Sequence, residues 1–250
     1  MRNVKVVVEY EGTDYHGFAV QRGLRTVQGE LERAVAMVTG ATTRVIGAGR
    51  TDSGAHAFGQ TVSFKTASRL APSELARALN ANLADDIRIR LVEEVDESFH
   101  ARRSAQRRLY RYSLWNALEP NLWTRRHRYH VADHLDVEAM NLASECLVGT
   151  WDYSCFTFGL ASYLKSGQRR TTVRTLFEAY WHGAGPEVDF EVAGTAFLPH
   201  MIRNMVGSMI RVGLGKMTPQ EFQGLFESRS AQLSTWTVPA LGLVLVGVEY

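Results

Sequence analysis

The segment Gly47-Ala48-Gly49-Arg50-Thr51-Asp52-Ser53-Gly54-Ala55-His56 places one carboxylate between glycine-flanked turns. An arginine stands two residues before it and a histidine four after it. A free aspartate has a pKa of ~3.9, so Asp52 is expected to be ionised at neutral pH. A neighbouring arginine favours that charge further. The glycines let backbone or substrate approach closely. An anion held this way can act as a nucleophile or as a base.

Other residues suggest what the anion meets. In Arg107-Arg108-Leu109-Tyr110-Arg111-Tyr112, a strand places Tyr110 and Tyr112 on one face and Arg111 on the other. A tyrosine pair on a sheet fits a core, and beside paired arginines it also fits a nucleobase platform. On a helical wheel from Leu198, the residues Leu198, Ile202, Met205, Met209 and Val212 fall on one side. His200, Arg203, Asn204, Gly207 and Arg211 fall on the other. That second side is either solvated or the wall of a cleft holding His200 and Arg203, and its lack of acids favours the cleft. Paired arginines recur at Arg102-Arg103, Arg107-Arg108, Arg125-Arg126 with Arg128, and Arg169-Arg170. Several stand beside aromatics, as a phosphate-binding surface requires.

Several chemistries are excluded by missing patterns. The chain has no nucleotide phosphate loop, no His-Glu-x-x-His, no Gly-x-Ser-x-Gly and no cysteine spacing for a zinc deaminase. Asp52-Ser53-Gly54 is similar to the tripeptide of aspartic proteases, which share one proton between two carboxylates. Arg50 and Thr51 stand where such proteases are apolar, and a nearby arginine opposes the shared proton.

The elements around these residues follow an alternating pattern. The 250 residues are 45% hydrophobic and 22% charged, with net charge +2, an ordinary composition for a soluble globular protein. No apolar run reaches the ~20 residues a membrane span requires, and the first residues lack a signal-peptide profile. Cys146 and Cys155 form no disulfide framework or zinc pattern. A cytoplasmic protein without structural metal is the expectation. Strands are expected over Val4–Tyr10, Arg44–Ala48, Gln60–Lys65 and Ile87–Leu91, with helices from Thr26 and Pro72 between them. The second half repeats this β-α-β-β-α-β order. It has a strand over Leu109–Trp115, a helix from Asp136, a hairpin over Val173–Val192, the Leu198 helix and a closing strand over Leu243–Tyr250. A capping box at Thr218–Glu221 starts an extra helix. The fold class is therefore α+β. Two tandem ferredoxin-like halves, 1–105 and 106–250, carry antiparallel or mixed sheets expected to merge around a central cleft. Gly12–Arg25 and Gly149–Thr171 are loops long enough to be functional.

Gly49-Arg50-Thr51-Asp52-Ser53-Gly54-Ala55-His56-Ala57 resembles the signature of the tRNA pseudouridine synthase A family. Further matches are Glu9-Tyr10-Glu11-Gly12-Thr13, Thr26-Val27-Gln28-Gly29-Glu30-Leu31, Phe99-His100-Ala101-Arg102, Tyr110-Arg111-Tyr112 and Phe197 through Gly207. The resemblance implies isomerisation of uridine to pseudouridine in the tRNA anticodon stem-loop, around positions 38 to 40 of the tRNA. It implies no metal or organic cofactor, and a homodimer with one tRNA touching both subunits. It implies that Asp52 is the essential acid and that Tyr110 packs against the target uracil. Arg50, Arg203, His56 and His200 are the further substrate-binding candidates. The departures are Gly17-Phe18, where the family usually has Gly-Trp, Val238-Pro239 in place of Ala-Pro, and the preceding Ser234-Thr235-Trp236-Thr237. An RNA-binding protein without catalysis on the same halves is the alternative.

Overall fold

The computed structural model describes residues 1–157, 159–165, 171–228 and 236–250. Arg169, Arg170, Ser234 and Thr235, singled out above, lie outside the described residues, as does Phe158. The chain divides into two compact units, Met1–Arg108 with Val244–Tyr250, and Leu109–Leu243. No helix among the described residues is long and apolar enough to cross a membrane.

In the first unit, β1 (Arg2–Tyr10), α1 (Val27–Thr39), β2 (Ile46–Gly47), β3 (His56–Thr66), α2 (Pro72–Asn80) and β4 (Ile87–Val95) follow the expected order. The strands lie in the order β4-β1-β3, with β2 also on β3, and every one of these pairs is antiparallel. Strand alternation puts Val4, Val6, Val8 and Tyr10 into the core, where Leu31, Val35, Leu75 and Leu79 of the two helices are also buried. Thr26 caps α1 by accepting from the Gly29 N–H, and Gly40 ends it in the left-handed region at φ 69°.

The second unit takes most of β5 (Arg107–Asn116), then β6 (Tyr129–Val131), α3 (Val137–Glu145), β7 (Gly149–Asp152), α4 (Leu160–Lys165), β8 (Val173–Ala184), β9 (Glu187–Gly194), α5 (Met201–Gly213) and α6 (Pro219–Ser228). Its strands run β5-β9-β8-β7, with β6 parallel to β5. Thr218 and Glu221 form the expected capping box on α6, each accepting from the other's N–H at 3.1 and 2.7 Å. The closing strand β10 (Leu243–Glu249) pairs parallel with β3, Val244 opposite His56 and Leu245 opposite Ala57. This pairing explains why β3 begins at His56 rather than at Gln60. The strand expected over Arg44–Ala48 is reduced to Ile46–Gly47.

Two further expectations are corrected. The Gly149–Thr171 segment is no simple loop, because it contains β7, a 3-10 turn at Ser154–Phe156 and α4. Its Tyr153 and Phe156 are fully buried and meet the Phe226 ring edge-on at 5.5 Å. Helix α5 starts at Met201, not Leu198. A residue before proline is pushed out of the helical region, and Leu198 precedes Pro199. His200 then turns the chain at φ 58°, the one non-glycine left-handed residue among those described.

The polar side of α5 is covered rather than solvated. Asn204 is buried, donating to Phe156 O at 2.8 Å and accepting from Thr237 Oγ1 at 2.5 Å. Arg203 Nε donates to Val238 O at 2.8 Å. At Gly207 a Cβ would stand 1.8 Å from Trp236 O. Glycine is therefore what lets the 236–238 segment lie on the helix. Gly207→Ala is expected to lower the unfolding free energy by about 1–3 kcal/mol, as overpacking does. Urea unfolding of the variant measures it.

Candidate active site

Asp52 is half-buried in the loop between β2 and β3. The segment 12–18 lies directly against that loop, backbone to backbone. Phe18 N–H donates to Thr51 O at 3.1 Å, and Gly54 N–H donates to Tyr15 O at 3.3 Å. Ser53 Oγ donates to the same Tyr15 carbonyl at 3.0 Å. Ala55 N–H closes the turn on Asp52 O at 3.1 Å. Two glycines make this approach possible. At Gly12 a Cβ would stand 1.9 Å from Ala55 O. Gly17 has φ 85°, and a Cβ there would stand 3.0 Å from Thr51 O.

A polar chain supports the loop from β1 and β3. The Tyr10 hydroxyl is hydrogen-bonded to Thr51 Oγ1 at 2.8 Å and accepts from Gln60 Nε2 at 3.5 Å. Gln60 also brackets Gly49, donating to its carbonyl at 3.0 Å and accepting from its N–H at 3.4 Å. Burial pushes the Tyr10 hydroxyl up to about 12, against the opposing hydrogen bonds of Thr51 and Gln60. It therefore stays protonated in the working range.

A buried guanidinium holds the approach to the loop. Arg108 is 7% exposed, and its Nε and Nη2 donate to Ala48 O at 3.1 and 2.9 Å. Its Nη2 also reaches Arg102 O at 2.9 Å. His56 lies under the loop and is buried, with Nδ1 accepting from Gly12 N–H at 3.0 Å. In a neutral imidazole this places the ring proton on Nε2. Arg50 is exposed at the loop's entry. Arg50 and Asp52 thus lie in one loop of the first unit, and His56 begins the strand that follows it.

The remaining candidates belong to the second unit. Tyr110 is buried on β5 and meets the Phe197 ring edge-on, 5.1 Å between centroids. Tyr112 shares its face, is fully buried, and donates to Pro239 O at 2.7 Å. Burial raises the Tyr112 hydroxyl well above its usual range, while the Arg203 charge opposes the shift. His200 is half-buried at the left-handed turn before α5, and Arg203 lies on the first turn of that helix.

The arginine pairs do not act alike. Arg102, Arg103, Arg125 and Arg126 are exposed. Arg108 is buried, Arg107 reaches Glu249 at 3.7 Å, and Arg128 bridges Asp189 and Glu187 at 3.0 and 2.9 Å. The reading of a uniform phosphate-binding surface therefore fails for Arg108 and Arg128. Sequence reasoning missed the supporting roles of Tyr10, Gln60 and Arg108. Gln60 carried a signal, as a long polar side chain on the strand face it shares with Val62 and Phe64.

Comparison with known proteins identifies the family. The family model described as tRNA pseudouridine synthase matches residues 6–102 and 143–250, well over half of the chain. A tRNA pseudouridine synthase A of Acetivibrio thermocellus is 41% identical over 250 residues, covering all of both chains. Proteins of the same name from Geobacillus kaustophilus and Maridesulfovibrio salexigens are 38% and 39% identical. Each alignment covers all of this chain, with 95% and 91% of the relative. Matches of this length and identity settle the family: the chain belongs to the tRNA pseudouridine synthases.

Proposed function

We propose that this protein isomerises uridine to pseudouridine in the anticodon stem-loop of tRNA, around positions 38 to 40 of the tRNA. The observation that supports the reading is the Asp52 loop, which carries the family's signature and whose main chain is held against segment 12–18. The target base must leave the helical stack to reach such a group. Asp52 then attacks C1′ as a nucleophile, or takes the proton from C2′. Either route breaks the bond from C1′ to N1. The detached uracil turns and C5 bonds to C1′, which breaks the Asp52–C1′ bond on the first route or returns the proton to C2′ on the second; the C5 proton then leaves and N1 gains one. Tyr110 supplies the ring against which the uracil is held while it turns. Arg50, Arg203, His56 and His200 complete the substrate-binding set.

In this reading the halves 1–105 and 106–250 are ferredoxin-like. The antiparallel order β4-β1-β3-β2 around α1 and α2 supports this for the first. The protein works in the cytoplasm as a homodimer whose tRNA touches both subunits. Light scattering is expected to give twice the mass of the 28.0 kDa chain.

Asp52→Asn keeps the size and polarity of the side chain and removes its charge. It is expected to cut tritium release from C5-labelled uridine in tRNA by roughly 10²–10⁴-fold, the range for removal of a positioned acid–base group. Wild-type turnover in this variant would refute the mechanism. A protein that only binds RNA would release no tritium from either form. Tyr110→Ala is expected to lower kcat far more than it weakens tRNA binding. Tyr110→Phe, which keeps the ring and its packing on Phe197, separates the hydroxyl's part from the ring's. Equal losses of kcat and binding in Tyr110→Ala would count against the pocket role.

A further inference from the structure

A cavity of about 300 Å³ opens in the first unit beside the Asp52 loop. Arg44, Arg50, His100 and Arg102 line it, together with Phe18 and the backbone at Gly47 and Gly49. No acidic residue is among its lining groups. Some arginines of this unit are paired, Arg25 with Asp86 at 3.0 Å, Arg33 with Glu30 at 2.8 Å and Arg90 with Glu9 at 2.5 Å, whereas those at the cavity stand together with no acid beside them. Among the described residues, no hydrogen bond or ion pair engages the guanidinium of Arg44, Arg50 or Arg102.

We propose that this cavity is a second RNA-binding pocket, distinct from the position of the target uracil, which takes a backbone phosphate and the attached sugar of a neighbouring nucleotide. The inference rests on the reading of the protein as a tRNA-modifying enzyme and adds a subsite to it. Like charges crowded into one concavity repel one another, and an entering anion relieves that repulsion. Guanidinium groups match phosphate oxygens in bidentate geometry, which makes a cluster of them selective for phosphate. The volume lies at the lower end of the range for ligand pockets and suits a sugar phosphate better than a whole stem. His100 contributes a neutral donor. Its Nδ1 accepts from the N–H groups of Arg102 and Arg103 at 3.2 and 3.3 Å, which leaves the ring proton on Nε2. Burial and the neighbouring arginines hold its pKa below the usual value, so the ring is uncharged near neutrality. Gly47 forms part of the cavity wall against Phe18, where a Cβ would stand 2.4 Å from the ring. Gly49 and Arg50 line the cavity and immediately precede Thr51 and Asp52. A strand anchored here is therefore fixed close to the reacting nucleotide by residues of the loop itself.

The test uses Arg44→Ala and Arg102→Ala in the full chain, with an unmodified tRNA transcript. Both side chains are exposed, so melting temperatures are expected to match the wild type. Each variant is expected to raise KM by about 3–10-fold with kcat held within about twofold. The slope of log affinity against log salt is expected to fall by about 0.7–0.9 for each phosphate that the variant no longer neutralises. Arg44→Lys is expected to restore most of that slope, since it returns the charge. An unchanged KM and slope in both alanine variants would overturn the pocket. Inorganic phosphate and UMP serve as separate probes. If they bind the wild type and fail to bind the variants while the tRNA slope stays the same, the cavity serves a free anion and the RNA assignment falls. Failure of the wild type to release tritium would instead overturn the catalytic reading, and the salt slope would still report on the pocket.

Discussion

The acid's position depends on two stretches of main chain packed at contact distance. Segment 12–18 and turn 51–55 exchange hydrogen bonds directly, and neither Gly12 nor Gly17 leaves room for a Cβ without displacing the opposing backbone. Placement by main chain differs from placement by side chains. Rotamers exchange among wells of similar energy, whereas the backbone that carries Asp52, held through the Thr51 and Tyr15 carbonyls, moves only if the fold moves. For a group that must meet one atom of a sugar, that distinction matters, because a misplacement of about 1 Å can cost about 10²-fold in rate. The polar chain from Gln60 through Tyr10 to Thr51 strengthens the same restraint. Each of its groups is buried, so breaking one bond leaves the others without compensation from water.

Helix α5 solves a related problem with different residues. Its inner side is apolar, and its polar side is also covered, by Phe156 and the chain at 236–238. Covering polar groups is tolerable only when each finds a partner. Asn204 uses both ends of its amide, on Phe156 O and Thr237 Oγ1, and Arg203 donates through Nε to Val238 O. The bond at Nε fixes the plane of the Arg203 guanidinium, and Tyr112 on Pro239 O ties β5 to the same segment.

Legibility in the sequence followed the range of the interactions involved. Thr26 and Gly40 bound α1 as expected, and Thr218 with Glu221 starts α6, because caps are local geometry written in adjacent residues. The Asp52 loop was legible for the same reason: glycine, charge and spacing are all contained within ten residues. The start of β3 was not, because His56 is drawn into the strand by Val244 from the far end of the chain. Nor was the environment of α5. A helical wheel shows which side is apolar, but the peptide that covers the other side arrives from more than one element away. Tyr153 and Phe156 failed to declare themselves as core because their partners, Phe222 and Phe226, lie on α6.

Arg102 and Arg108 show how far identical chemistry can diverge. Both belong to arginine pairs in one short stretch, yet Arg108 is buried and Arg102 is exposed at the cavity. A buried guanidinium without partners would be strongly destabilising. Arg108 is stable there because two carbonyls, Ala48 O and Arg102 O, receive its N–H groups. Those carbonyls belong to the bend that leads from β2 into Gly49-Arg50 and to the turn that carries Arg102. The buried charge therefore joins the two walls whose exposed arginines face the cavity, and its positive field adds to theirs. One arginine holds the wall in place, which frees its neighbour from any structural partner and leaves that neighbour's charge to a ligand.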